Sequence, residues 1–304
     1  MITSSDLAKS FTDEQKERSF YRMQNMMKEK MENKEPFFIG RMSGNEPNLS
    51  GRCLNKKEIP NGLIYERINS AGIKFNSNEC LKKFVAAYTK ACMNCDLLGV
   101  WSGGMYNQAE LFYTFLERMN CTSKYICAQA VEPFHFLDSE NYIFDKILEN
   151  KKVLIITSHK ETTKLQLHKK VFHNSIFHET TQFHVLKPPQ QNGGNTDGQS
   201  WLTHYEKFKS DLNAVKNEFD FDIAFVSSGG FGMIICDYIF KEMNKSVVYV
   251  GGGLQLYFGI MGNRWRTHPK IKHFQNEEWV NVLEEDKPEM LNKNPRLCEN
   301  SCYW

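Results

Sequence analysis

The chain has 304 residues, and 38 lysines and arginines nearly balance 36 aspartates and glutamates, leaving a formal charge of +2. That balance carries no global electrostatic footprint for nucleic acid, while a hydrophobic fraction of 41% and an aromatic fraction of 13% suffice for a large core. No apolar run approaches the roughly 18 residues of a transmembrane helix, and the polar N-terminus lacks the apolar stretch of a signal peptide.

Segment 12–35, TDEQKERSFYRMQNMMKEKMENKE, favours helix and sets Phe20, Met23, Met27 and Met31 at helical spacing. It reads as an N-terminal helical extension over residues 1–35 that packs one apolar stripe on the body of the protein. After Pro36 short apolar runs alternate with amphipathic stretches. Runs 37–39, 97–100, 125–127, 153–157, 183–186, 223–226 and 247–250 read as buried strands. Between them, 79–91, 107–119, 161–173, 205–218 and 231–243 read as helices. This alternation predicts an α/β, Rossmann-like fold, a mainly parallel sheet with helices on both faces. Residues 36–304 are expected to form it as a single catalytic domain. Segment 187–200, KPPQQNGGNTDGQS, reads as a long turn-rich loop.

Nine cysteines without a secretory signal point to reduced thiols and a cytoplasmic location. Cys92, Cys95, Cys298 and Cys302 are enough thiols for a structural zinc. The first pair, however, ends an apolar helical run, FVAAYTKACMNC, where buried cysteine is ordinary core. Both pairs also lack the turn residues of a zinc knuckle, so core packing is the preferred reading.

In an open parallel sheet, ligands bind beyond the carboxyl ends of the strands. The first strand is followed by GRMSGNEPN, a turn holding Arg41, Ser43, Asn45 and Glu46. Glu46 could be a general base, a metal ligand or half of an ion pair. Glu132, after the third strand and three residues before His135, is a second candidate carboxylate. The fourth strand leads into TSHKETT, which puts His159 at the site and leaves His168, His173, His178 and His184 as surface or core residues.

The sixth strand ends in SSGGFG, with Ser227, Ser228, Gly229, Gly230 and Gly232 at the opening of a helix. Glycines let a backbone approach phosphate, and unpaired first-turn amides can bind it. The seventh ends in Gly251, Gly252 and Gly253, followed by Gln255 inside an expected apolar helix and then Asn263, Arg264, Trp265 and Arg266. Three consecutive glycines are costly unless the backbone needs unusual dihedrals or touches a ligand. No G-x-G-x-x-G, P-loop, nucleophile elbow or H-E-x-x-H occurs.

Several stretches resemble a bacterial and viral family associated with capsule, lipopolysaccharide and other surface-glycan synthesis. They are IGRMSGNEPNL, AVEPFHF, KKVLIITSHKETTKLQL, the run DFDIAFVSSGGFGMIICDYIFKEMNKSVVYVGGGLQLYFGIMGNRW, and the terminal CYW. The layout is more distantly similar to glycosyltransferases of the GT-D fold, whose early motif reads R-F/Y-G-D-G-E. Arg41 and Glu46 match that motif, and Gly44 stands where the family carries its metal-associated aspartate.

The resemblance implies a glycosyltransferase that moves a sugar from a nucleotide-sugar donor, a UDP-sugar first, to a hydroxyl of a glycan acceptor. Glu46 or Glu132 would be the base, and Arg41, Ser43, Asn45, His159, Gln255, Arg264 and the two glycine turns would hold the donor. A divalent cation, manganese or magnesium, would have Glu46 as its ligand if it binds at all. A homo-oligomer is compatible with the N-terminal helix. The alternatives are a non-catalytic nucleotide- or glycan-binding protein and another Rossmann-like transferase such as a methyltransferase.

Overall fold

The computed structural model describes residues 2–64, 71–171, 176–189, 197–289 and 302–304. Its sheet is built from β1 (Phe38–Arg41), β2 (Leu97–Val100), β3 (Tyr125–Cys127), β4 (Lys152–Thr157), β5 (Gln182–Leu186), β6 (Ile223–Ser227) and β7 (Ser246–Tyr249). They lie in the order β3-β2-β1-β7-β6-β4-β5, with every neighbouring pair parallel.

The strands read as continuous apolar runs because both faces of the sheet are covered. Alternate residues go to opposite sides. Leu154, Ile156, Ala224, Val226 and Val247 join one core cluster, while Val153, Ile155, Ile223, Phe225 and Val248 join the other. The helices Asn78–Asn94, Gly104–Arg118, Trp201–Phe219 and Gly232–Lys241 feed the first cluster. The second is sealed by the helix Asp13–Glu32, which buries Phe20, Met23 and Met27. That helix opens on a capping box between Thr12 and Gln15. It is tied to β3 by Arg22, whose Nη1 donates to the Tyr125 carbonyl at 3.1 Å.

The predicted α/β sheet is present, but two local expectations are corrected. Residues after β1 do not form a simple turn; they start the helix Asn45–Leu54, with Pro47 in its first turn, where a missing N–H costs nothing. The segment after β7 is not an α-helix but a 3-10 run, Gly251–Phe258, ended by Gly259 at φ 61°. Three glycines lower its helical preference, and its buried apolar side chains fix the tighter winding by packing. Of the expected loop 187–200, residues 190–196 lie outside the described residues.

Cys92 and Cys95 are core residues: both are buried, and the Cys95 thiol donates to the Ala91 carbonyl at 3.3 Å. Burial pushes both thiols up, which keeps them protonated and disfavours them as zinc ligands. Cys298 lies outside the described residues, and among those residues no group of three or more histidines, cysteines or carboxylates could hold a metal. Also among them, no helix is long and apolar enough to cross a membrane.

Candidate active site

Strands β1, β7, β6 and β4 are consecutive neighbours, and the segments leaving their carboxyl ends border one cavity of about 340 Å³. The chain leaves β4 outward to β5 but leaves β6 inward to β7, so the connections diverge beside this cavity. Such a divergence opens a crevice in a parallel sheet.

Arg41, the last residue of β1, is held from three sides. Its Nη1 donates to the Val250 carbonyl at 2.7 Å, and its Nη2 pairs with Glu132 Oε1 at 2.9 Å. Its guanidinium also lies 4.8 Å from the centre of the Trp101 ring. Its Nε is buried without a hydrogen-bond partner among the described residues. Gly251 makes room for this side chain: its φ is +69°, and a Cβ there would stand 2.6 Å from Arg41 Nη1.

Ser43, Asn45 and Glu46 follow on the cavity wall. The Ser43 hydroxyl, one residue before the Gly44 N-cap, accepts from the backbone N–H of Asn45 at 3.3 Å and of Glu46 at 3.4 Å, which occupies two first-turn amides and leaves its own proton to donate. Glu46 is buried in the first helical turn and is the sole side-chain carboxylate among the described residues lining the cavity.

His159 lines the cavity from the end of β4. Burial pushes its ring down to about 4, against the opposing pull of Asp286, so it is neutral at pH 7. A neutral imidazole suits a hydroxyl better than a phosphate. Its position is set by Asp286, which is fully buried and accepts from the backbone N–H groups of Glu161 (3.1 Å) and Thr162 (2.7 Å) and from the Thr162 hydroxyl (2.7 Å). The amides opening this helix are therefore committed to Asp286. Replacing Asp286 by alanine should cost about 2–4 kcal/mol through loss of the cap and its charge-assisted bonds. Urea unfolding would show this as a lowered midpoint; an unchanged midpoint would remove Asp286 from that role.

From β6, Ser227 and Gly229 reach the lining. Gly229 has φ +51° and sits so close to Ala71 that a Cβ would be 2.7 Å from its carbonyl oxygen. Its own carbonyl accepts from the Tyr249 hydroxyl at 2.8 Å. The other predicted residues of this turn stand behind the wall: Ser228 is buried, Gly230 packs on Ile73, and Gly232 lies on the Tyr249 ring. From β7, Gly251, Gly252 and Gln255 line the cavity, whereas Gly253 packs beside the Glu132 carboxylate. Gln255 donates to the Ile260 carbonyl at 3.1 Å. Arg264 reaches the same space from beyond Met261.

Glu132 is not on the lining. It is buried between Arg41 and His135, whose Nε2 lies 3.2 Å from Oε2. Burial opposes its charge, but Arg41 and His135 outweigh that and hold the carboxyl below the usual carboxylate range. It reads as the counter-ion that sets Arg41 rather than as a base open to substrate. A hard cation needs several oxygen ligands. The lining supplies one carboxylate beside two arginines, with Gly44 adding no side chain, and this set does not fit a protein-held divalent ion.

Trp101, Tyr249, Tyr303 and Trp304 also line the cavity and were not singled out from the sequence. Trp101 follows β2 and obeys the strand-end rule that found the others. Tyr249 was hidden inside an apolar run, and nothing local marks Tyr303 or Trp304 beyond the CYW of the resemblance.

A family model described as a GT-D fold-like domain matches residues 22–257, well over half of the chain. No curated protein and no solved structure matches. The chain belongs to the GT-D-like family.

Proposed function

We propose that this GT-D-like protein is a glycosyltransferase that moves a sugar from a nucleotide-sugar donor, UDP-linked first, to a hydroxyl of a glycan acceptor in surface or glycoprotein glycan synthesis. One observation carries the reading: a single carboxylate, Glu46, shares a cavity with Arg41, Arg264 and two glycine-rich strand ends. Phosphate needs cationic and N–H donors, and a sugar acceptor needs a base; the lining contains both.

In an inverting transfer the acceptor oxygen forms its bond to the anomeric carbon as the bond to the diphosphate oxygen breaks. The acceptor proton passes to Glu46, and the electron pair leaves on the diphosphate. Arg41 and Arg264 would stabilise the charge that develops there. His159, neutral, would hold a hydroxyl of the sugar or the acceptor.

Thermal unfolding in the presence of UDP- and GDP-sugars tests this. A donor at 100 times its Kd should stabilise the protein by about 2.7 kcal/mol, and the bound donor should hydrolyse slowly or transfer to an added glycan. Stabilisation without any turnover would make the protein a non-catalytic binder. No stabilisation by any nucleotide sugar would end the proposal.

A further inference from the structure

One wall of the cavity comes from residues 302–304, far in sequence from the strand ends and outside the residues 22–257 matched by the family model. This wall is fitted to the glycine turn after β7. A Cβ on Gly252 would lie 2.1 Å from the Tyr303 ring, so the ring occupies the space that a glycine leaves free. Behind it, the Cys302 carbonyl accepts from the Arg264 backbone N–H at 3.1 Å. The Arg264 side chain then folds over the same tyrosine. Its Nη1 donates to the Tyr303 hydroxyl at 3.0 Å, and its Cζ lies 4.8 Å from the ring centre. Trp304, the next residue, stands edge-on to His159 with ring centres 5.9 Å apart.

Both faces of this arrangement bear on the donor. Tyr303 fills the space over Gly252 at the strand end, and it grips Arg264, which would meet the diphosphate as a cation. An arginine side chain gives up rotamer entropy whenever it is pinned for binding. A ring under the guanidinium and a hydroxyl at its edge meet that cost before the ligand arrives.

We propose that Tyr303 is a positioning residue for a nucleoside diphosphate, acting through Arg264 by holding its guanidinium beside the Gly251–Gly252 strand end. The inference rests on the donor-binding reading above and assigns a role outside the family-matched residues.

The test is calorimetric titration of the full chain with UDP and with GDP. Tyr303→Phe keeps the ring on Gly252 and removes only the hydroxyl. It should weaken binding of the better nucleotide by up to about tenfold, because the guanidinium must then be ordered by the ligand itself, with little change in the thermal midpoint since the lost bond is exposed. Arg264→Gln should weaken it at least as much, and the double variant Arg264→Gln/Tyr303→Phe no further than Arg264→Gln alone. That non-additivity separates positioning from simple packing. The proposal is overturned if Tyr303→Phe binds as the wild type, if its loss adds in full to that of Arg264→Gln, or if the midpoint falls with the affinity. Wild-type binding with an unaffected Tyr303→Phe sinks this inference alone. A wild-type chain that binds neither UDP nor GDP sinks the donor-binding reading with it.

Discussion

Replacing Glu46 by glutamine should lower sugar transfer by about 10²–10⁴-fold, the usual contribution of a general base. The substitution is close to isosteric, so donor binding and the unfolding midpoint should stay near those of the wild type. The reasoning is positional. Glu46 is held in the first turn of the helix Asn45–Leu54, and the Ser43 hydroxyl accepts from the Glu46 N–H itself. The carboxylate is thus presented by a fixed helix end rather than by a loose loop. The rival base, Glu132, is buried away from the lining and already paired with Arg41 and His135. A pH–rate profile distinguishes a base from a merely structural acid: the acid limb of the wild type should be lost in Glu46→Gln. Transfer at the wild-type rate by the purified variant would remove Glu46 from the chemistry.

Much of this cavity's lining is legible in the sequence, for a physical reason. Buried parallel strands have to be apolar on both faces, so the sheet announces itself as runs such as KVLIIT, and the residues that break each run mark the strand ends. Arg41, Glu46, His159, Ser227, Gly229, Gly251 and Gly252 are all marked that way, and they share one cavity because β1, β7, β6 and β4 are neighbours. Strand order is not written in local sequence, and it decides which ends meet. The same limit explains Ser228, Gly230, Gly232 and Gly253. A glycine required by close packing on Ile73, Tyr249 or Glu132 has the same local signature as one required by a ligand. Helix winding escaped for a similar cause: the run Gly251–Phe258 looks like an apolar α-helix until the core around it sets a 3-10 path. Asp286 reaches Glu161 across 125 residues and Tyr303 reaches Arg264 across 39, and no local spacing rule covers such separations.

Glu132→Ala should be among the most destabilising substitutions at this site, at about 3–5 kcal/mol, because it strands a buried guanidinium. The Arg41 side chain is 14% exposed and that of Glu132 8%, so water cannot replace the missing partner. Arg41→Ala should cost a similar amount by leaving the carboxylate alone, although His135 would keep part of its hydrogen bonding. The double variant Arg41→Met/Glu132→Leu separates structure from function. Replacing both charges with apolar side chains should recover most of the stability, since buried pairs are often neutral relative to hydrophobic substitutes. Donor binding should remain weakened, because Arg41, one of the two cations that would meet the diphosphate, is gone. The pair also leaves a signature in pH. The carboxyl of Glu132 is held below its usual 4.5, so its contribution to stability is full above that value. It is lost as pH falls further, through the depressed value of the folded state, because the unfolded chain then binds the proton first. Wild-type stability should therefore fall more steeply than that of the double variant as the pH drops below about 4.5. Parallel acid limbs for the two, measured by urea unfolding at stepped pH, would show that the Arg41–Glu132 pair does not hold this side of the cavity together.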